Sequence, residues 1–254
     1  MTNILAIVRK EWRGYFASPI GYVVVGTYAL VFGVFYAVGL YFFNRQSMMA
    51  PQMGGGPLNI NQMLISYVFQ SSSIVLIFVV PLITMRSYAE EKRLGTVELL
   101  MTSPLTDFEI LAGKFLGAMS LYSAMLGITV IHMAILFAYG NPEWKPILTG
   151  YLGLLLLGGC IVSIGLFFSS LTKNQIVAGM FTVVVLLLLW LVDWFGALLG
   201  PTGESIVSTV SLSTHLQDFV RGVVDTQHVI YYLSVATFGL FLTAKAVDSE
   251  RWRG

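Results

Sequence analysis

The chain of 254 residues is 56% hydrophobic and only 11% charged, and its formal net charge is +1. A single water-soluble core cannot bury so large an apolar fraction, so the composition predicts a membrane protein. The near-zero net charge provides no basic field for nucleic acid. The single cysteine, Cys160, excludes an intrachain disulfide and a cysteine cluster for zinc.

Residues 1–19 predict an amphipathic helix ahead of the first membrane span, because apolar residues recur there at helical spacing. These residues are Ile4, Leu5, Val8, Trp12, Tyr15 and Phe16. We expect the helix to lie on the inner leaflet, with Trp12 at the interface. The cations expected to meet phosphate headgroups are Arg9, Lys10 and Arg13. A cytosolic lead-in to the first span is the alternative.

Six apolar runs are long enough to cross a hydrocarbon slab of about 30 Å, which takes about 20 helical residues. They lie at about 20–43, 64–85, 115–139, 149–171, 175–199 and 229–246. We therefore predict one domain of six transmembrane helices over residues 20–254. The first run is too long for the hydrophobic part of a cleavable signal peptide, so we expect it to remain as an anchor.

The lysines and arginines are distributed unequally between the two sides of this six-span arrangement. All fourteen fall on the side of the two termini and the 86–114 loop, except Arg45, Lys145 and Arg221. By the positive-inside rule, this asymmetry predicts that both termini are cytoplasmic, and an even number of spans agrees with that orientation.

The second run contains a polar stretch with Ser66, Gln70 and Ser73, and Pro81 lies further along the same run. Proline can kink a membrane helix because it leaves a backbone carbonyl without its usual partner. Hydrogen bonding between helices is one explanation of the polar residues, and in membranes it contributes about 1 kcal/mol or less per contact.

Small residues four apart are typical of closely packed membrane helices. Gly113 and Gly117 form such a step at the start of the third run, and Gly159 with Ser163 forms another in the fourth. We expect close helix contacts at both places, within one chain or between chains.

The connection between the second and third runs, residues 86–114, is longer than a hairpin needs and is rich in charge. We expect Gly95 to loosen its backbone. Four apolar residues then predict a short helix outside the membrane that needs a partner: Val97, Leu99, Leu100 and Met101. Pro104 ends this helix, while Thr106 and Glu109 have the spacing of a capping box that begins the next one. A solvated charged loop is the alternative.

This connection resembles the E-x-x-x-G-T-x-E-x-L-L-x-x-P…K signature of ABC-2-type transporter permeases. The matching residues are Glu91, Gly95, Thr96, Glu98, Leu99, Leu100, Pro104 and Lys114. The resemblance implies an all-α integral membrane fold like that of type V ABC exporters. In such a fold a cytoplasmic coupling helix follows the second span, and short outer-leaflet helices lie between the fifth and sixth spans. The outer segment from Ser211 is similar to the gliding-motility-associated (GldF-like) branch.

The resemblance further implies a permease subunit of the bacterial inner membrane that is not itself an enzyme. It would couple ATP hydrolysis by a separate ATPase subunit to export or to mechanical work, as in a gliding-motility complex. ATP and Mg would bind to that subunit, and the sequence contains no G-x-x-x-x-G-K-[ST] phosphate loop. The implied partners are two ATPase copies, an identical or related second permease unit, and a membrane protein with a large extracytoplasmic domain.

The same resemblance implies roles for particular residues. The ATPase-coupling residues would be Glu91, Gly95, Thr96, Glu98, Leu99, Leu100, Met101 and Pro104, with the leucines and the methionine seated in an ATPase groove. The candidate translocation path, along the second and fifth spans, would include Ser66, Gln70, Ser73 and Pro81.

An ion-coupled carrier or channel is the alternative function, but the six runs contain almost no ionisable residue at mid-span. An intramembrane enzyme would need a nucleophile with its base or a metal triad. The three scattered histidines, His132, His215 and His228, match neither. We therefore propose no catalytic, cofactor or metal residue from the sequence.

Overall fold

The computed structural model describes residues 2–49, 59–96, 105–196, 203 and 207–251. Across these ranges the regular structure is helical and no strand is present. The helices are α1 (Thr2–Ala17), α2 (Pro19–Met49), a π-helix (Asn61–Ile65), α3 (Ser66–Thr84), α4 (Ala89–Leu94), α5 (Asp107–Tyr139), α6 (Trp144–Leu171), α7 (Gln175–Gly196), α8 (Leu212–Val220) and α9 (Thr226–Arg251).

The six predicted spans are confirmed as helices long and apolar enough to cross a membrane. They are Pro19–Met49, Asn61–Leu94, Asp107–Tyr139, Trp144–Leu171, Gln175–Asp193 and Thr226–Ser249. Their ends differ from the predicted ones because hydropathy detects only the apolar part of a helix. The helix α5, for example, begins at Asp107, where Thr106 and Glu109 form the predicted capping box. Residues 197–199 of the fifth predicted run lie outside the described ranges.

Successive spans run in opposite directions, which gives the bundle two ends. The start of α5 lies beside residues 85–96, and we name this the Lys114 end. At the other end, which we name the Asn61 end, the π-helix lines one cavity with Val220 and Arg221, and Asn61 Oδ1 accepts from the backbone N–H of Glu143. The helices α6 and α9 pack along each other in parallel, with Gly239 against Ser163.

The predicted N-terminal helix is present as α1, and its apolar face packs along the first third of α5. Asn3 donates to Glu109 Oε1 at 3.1 Å, and Trp12 donates to the hydroxyl of Ser120. The cations Arg9, Lys10 and Arg13 are exposed on the opposite face. Because α5 already covers the apolar face, location of α1 on the inner leaflet stays a prediction.

The glycine step in α5 allows this close packing, as predicted. A Cβ atom at Gly113 would lie 2.7 Å from Ile7, and one at Gly117 would lie 2.9 Å from Cβ of Glu11. In α6 the predicted step makes its close contact at Ser163, because a Cβ atom at Gly239 would lie 2.6 Å from Ser163 Oγ. At Gly159 a Cβ atom would meet nothing within 4 Å, so a contact there between chains stays a prediction. The neighbouring Gly158 lies close to the ring of Tyr122.

Between the fifth and sixth spans, α8 supplies the predicted short helix. Its buried face packs against α3 and α6 and consists of Leu212, His215, Leu216, Phe219 and Val220. Ser211 begins the helix by accepting hydrogen bonds from the backbone of Ser213 and Thr214. Location of α8 in the outer leaflet stays a prediction.

Gly158→Ala should destabilise the bundle, because the new methyl group would lie 2.0 Å from Cε1 of the buried Tyr122. Such overpacking costs about 1–3 kcal/mol. Gly159→Ala is the matched control, since its methyl group would enter open space and alanine favours a helix by about 1 kcal/mol over glycine. Thermal unfolding in one detergent should show a lower midpoint for Gly158→Ala only. Equal midpoints for the two variants would contradict the contact.

Candidate functional site at the Lys114 end

The ammonium group of Lys114 connects three segments of the chain. Its side chain is only 1% exposed, and Nζ lies 2.8 Å from Glu91 Oε2 and 3.3 Å from Glu11 Oε1. It also donates to the carbonyl of Ser87 and lies 4.8 Å from the ring centre of Tyr88. Since a buried charge is tolerated only when it is paired and hydrogen-bonded, these contacts hold α1, α4 and α5 together.

A second cation completes the charge balance around Glu91. Lys10 Nζ lies 2.6 Å from Glu91 Oε1, although the Lys10 side chain is 57% exposed. Burial lowers the pKa of Lys10, but the hydrogen bond and the negative charge of Glu91 outweigh this effect, so its pKa is raised. We name Lys10, Glu11, Glu91 and Lys114 the charge cluster; its two ammonium groups balance its two carboxylates.

Three residues of the permease signature form the C-terminal cap of α4. Gly95 has φ of 69°, in the left-handed region that glycine adopts without strain. The backbone N–H of Gly95 donates to the carbonyl of Lys92 at 3.4 Å, and that of Thr96 donates to the carbonyl of Glu91 at 3.0 Å. This is the Schellman arrangement. The sequence had suggested that Gly95 loosens the backbone. The structure shows instead that Gly95 ends a helix in a defined geometry.

The capped helix α4 is fixed to the end of α6. The Ser169 hydroxyl accepts from the backbone N–H groups of Tyr88 and Ala89 at 3.0 and 3.1 Å. Lys92 is buried, and its ammonium group donates to the carbonyl of Ser170. The last turn of α6 shields Lys92 from solvent. The polar stretch from Glu90 to Arg93 is therefore only partly solvated.

A small cleft of about 290 Å³ lies beside the charge cluster, between α1 and α4. Its lining includes Lys10, Glu11, Glu91 and Thr96, so it joins the cluster to the capped end of α4. One described range ends at Thr96 and the next begins at Leu105, one residue before Thr106 of the capping box. Both ends of the intervening segment are thus fixed to the bundle.

The structure brings together Glu91, Gly95 and Thr96 among the predicted coupling residues, and it adds Lys10, Glu11 and Lys114. The remaining predicted coupling residues lie outside the described ranges: Glu98, Leu99, Leu100, Met101 and Pro104. Sequence reasoning missed Glu11. Its position four residues after Ile7, on the face that packs against α5, was the available signal, because a carboxylate on an apolar face needs a cation opposite.

The four residues of the candidate translocation path do not form one continuous surface. Ser66 and Gln70 line an open polar cavity at the Asn61 end. Ser73 is buried and donates to the carbonyl of Gln70 at 2.7 Å, and Pro81 is buried within α3. Within this chain Ser73 therefore makes a local helix contact, while Ser66 and Gln70 face open space.

Lys114→Met should strongly destabilise the protein, because it leaves two partly buried carboxylates without their shared cation. Breaking a buried ion pair on one side costs about 3–5 kcal/mol. Lys10→Met is the control: it removes a cation of the same cluster, but an exposed one, whose pair contributes about 1 kcal/mol or less. The midpoint of thermal unfolding in detergent should fall much further for Lys114→Met. Equal decreases would contradict the central position of Lys114.

Comparison with known proteins agrees with the signature at this site. Two curated relatives, each described as "Probable multidrug ABC transporter permease YbhR", come from Escherichia coli strain K12 and from Escherichia coli O157:H7. Each is 32% identical over 108 residues, which cover 42% of this chain and 29% of the relative. The chain thus spans less than a third of the length of these relatives.

A family model described as "ABC-2 family transporter protein" matches residues 58–212, which is more than half of the chain. The match extends from just before the π-helix to the first residue of α8. It includes Glu91, the α4 cap and Lys114. The chain therefore belongs to the ABC-2 family of transporter proteins.

Proposed function

We propose that the chain is the permease subunit of an ABC transporter and that its Lys114 end receives movement from a separate ATPase subunit. The observation that supports this proposal is the buried ammonium of Lys114, which joins Glu91 of the signature to α1 and α5. An ATPase contact at residues 97–104 would act on a segment that connects α4 to α5, and the charge cluster holds both of these helices.

The fixed ends determine where such a movement would go. The bonds to Ser169 fix α4 to the end of α6, so a push on residues 97–104 would be transmitted to α6 as well as to α3 and α5. Because Glu11 is tied to Lys114, α1 would move with them. Three spans and the N-terminal helix would therefore shift as one unit when the ATPase closes on ATP.

The partners proposed here are those that membership of the ABC-2 family implies. ATP and Mg would bind to the ATPase subunit, present in two copies, and a second permease unit, identical or related, would complete the assembly. The inner bacterial membrane, with the Lys114 end in the cytoplasm, fits the distribution of lysines and arginines. A type V exporter arrangement fits the six spans with α1 and α8.

Export and mechanical work are both compatible with this transmission. The finer proposal, a subunit of a gliding-motility-type complex, rests on the resemblance of the outer segment from Ser211 to that branch. Such a complex would add a membrane protein with a large extracytoplasmic domain. Export of small molecules would instead agree with the multidrug transport named in the description of the two relatives.

Leu100→Asp should abolish retention of the ATPase, because a carboxylate placed in an apolar groove loses several kcal/mol of hydration without a partner. Glu98→Ala should retain more ATPase but lower its coupled activity. The tagged full-length chain would be purified from its native membranes in detergent. ATPase subunits would then be identified and quantified by mass spectrometry, together with ATP hydrolysis.

Lys145→Ala, an exposed change at the Asn61 end, is the control for this experiment. It should retain the ATPase at the level of the unmodified chain. Normal retention by Leu100→Asp would refute the coupling role of residues 97–104. If no ATPase is retained even by the unmodified chain, the proposal of a separate ATPase partner is wrong.

Orientation can be tested with single cysteines, because the natural Cys160 is buried and should react slowly. Lys145→Cys should react with a membrane-impermeant maleimide in intact cells. Arg93→Cys should react only after permeabilisation, because its exposed side chain lies at the Lys114 end. A cysteine at position 92 would not report orientation, because Lys92 is buried within the protein whichever side of the membrane it lies on. Labelling of Arg93→Cys in intact cells would reverse the proposed orientation.

A further inference from the structure

The outer face of α1 carries an open groove of about 540 Å³. The residues that line it are Leu5, Ala6, Arg9, Lys10 and Arg13. This described lining contains three cations and no carboxylate. The carboxylate of the neighbouring Glu11 lies on the other side of α1, 3.3 Å from the ammonium of Lys114. The groove therefore has an excess of positive charge.

Two of the three cations have no counterion among the residues that the structure describes. Arg9 and Arg13 are exposed and make neither a hydrogen bond nor an ion pair within those ranges. Lys10 differs, because its ammonium group lies 2.6 Å from Glu91 Oε1. Like charges four residues apart destabilise a helix, so an anion that bridges the two guanidinium groups would stabilise α1.

Apolar side chains lie beside the two arginines on the same face of α1. Leu5, Trp12 and Phe16 all fall within about 60° of Arg9 around the helix axis. Leu5 is 66% exposed. The ring centre of Phe16 lies 5.3 Å from that of Trp12 and 5.1 Å from that of Tyr22, which is exposed at the start of the first span. A row of aromatic rings therefore leads from the groove to the outer surface of α2.

The combination of free cations and adjacent apolar surface selects a membrane lipid as the partner. Aromatic side chains are enriched at the headgroup level of membranes, where exposed cations attract anionic headgroups. A soluble acidic segment would meet the arginines but would leave Leu5 in water. The opposite face of α1 cannot take a lipid, because Ile7 is only 6% exposed and packs against Gly113 of α5.

We propose that this groove binds the headgroup of an anionic phospholipid. Arg9 and Arg13 hold the phosphate, since the planar guanidinium group matches phosphate oxygens with two parallel hydrogen bonds. One acyl chain lies along Phe16 and Tyr22. A zwitterionic headgroup binds more weakly, because its own cation meets three others in the groove. This site goes beyond the proposed function and needs no ATPase.

The test uses the full-length chain, stripped of lipid in a non-ionic detergent, and counts bound lipids by native mass spectrometry. The probes are dioleoylphosphatidylglycerol, dioleoylphosphatidylcholine and glycerophosphoglycerol, which has the first lipid's headgroup without acyl chains. Phosphatidylglycerol should bind more tightly than phosphatidylcholine by about fivefold or more, which is the effect of one cation near an anionic surface. Glycerophosphoglycerol should bind more weakly than phosphatidylglycerol, because it lacks the apolar contacts.

The double variant Arg9→Gln/Arg13→Gln should raise the Kd for phosphatidylglycerol by about 25-fold, since each removed cation weakens binding by about fivefold. The matched control is Lys145→Gln/Lys173→Gln, which removes two exposed cations that lie outside α1. It should bind phosphatidylglycerol like the unmodified chain. Thermal unfolding in the same detergent verifies that both variants are folded.

Three results would overturn the proposal. The first is equal binding of the two phospholipids by the unmodified chain, and the second is an equal loss of phosphatidylglycerol binding in the two double variants. The third is binding of glycerophosphoglycerol as tight as that of the lipid, which would identify a soluble phosphate ester as the ligand. If Arg9→Gln/Arg13→Gln loses a copurifying ATPase but binds phosphatidylglycerol normally, the groove serves a protein partner and the lipid proposal is wrong.

Discussion

The buried ammonium of Lys114 is the constraint on which the Lys114 end of the bundle depends. A cation that is 1% exposed cannot persist without compensating charge, so two carboxylates from distant parts of the chain have to reach it. Glu91 comes from α4 and Glu11 from α1. The same requirement that keeps the charge stable therefore fixes the positions of two helices relative to the start of α5.

This electrostatic requirement could be met only because the packing permits it. Gly113 and Gly117 lack side chains where Ile7 and Glu11 approach α5, and the close approach brings the Glu11 carboxylate to Lys114. On the other side, Gly95 ends α4 in a left-handed turn that follows Leu94. Glycines and charges thus act together to fix the helices at the Lys114 end.

The opposite end has a different character. Most serine and threonine hydroxyls of the described spans donate to a carbonyl of their own helix, as Ser163 does to Cys160 at 2.8 Å. Some longer side chains join two helices, as Tyr122 does by donating to the carbonyl of Leu154. At the Asn61 end the polar groups instead surround open space. The described part of the bundle therefore has a buried charge cluster at one end and an open polar cavity at the other.

The sequence by itself determined the six spans, the capping box of α5 and the family signature, because these depend on hydropathy and on spacings along the chain. Only the tertiary structure decided that Glu11 meets Lys114, since these residues are 103 positions apart and nothing local relates them. The conformation of Gly95 also required the structure. Glycine suits both a loose loop and a left-handed cap, and the bonds to Glu91 and Lys92 distinguish the two.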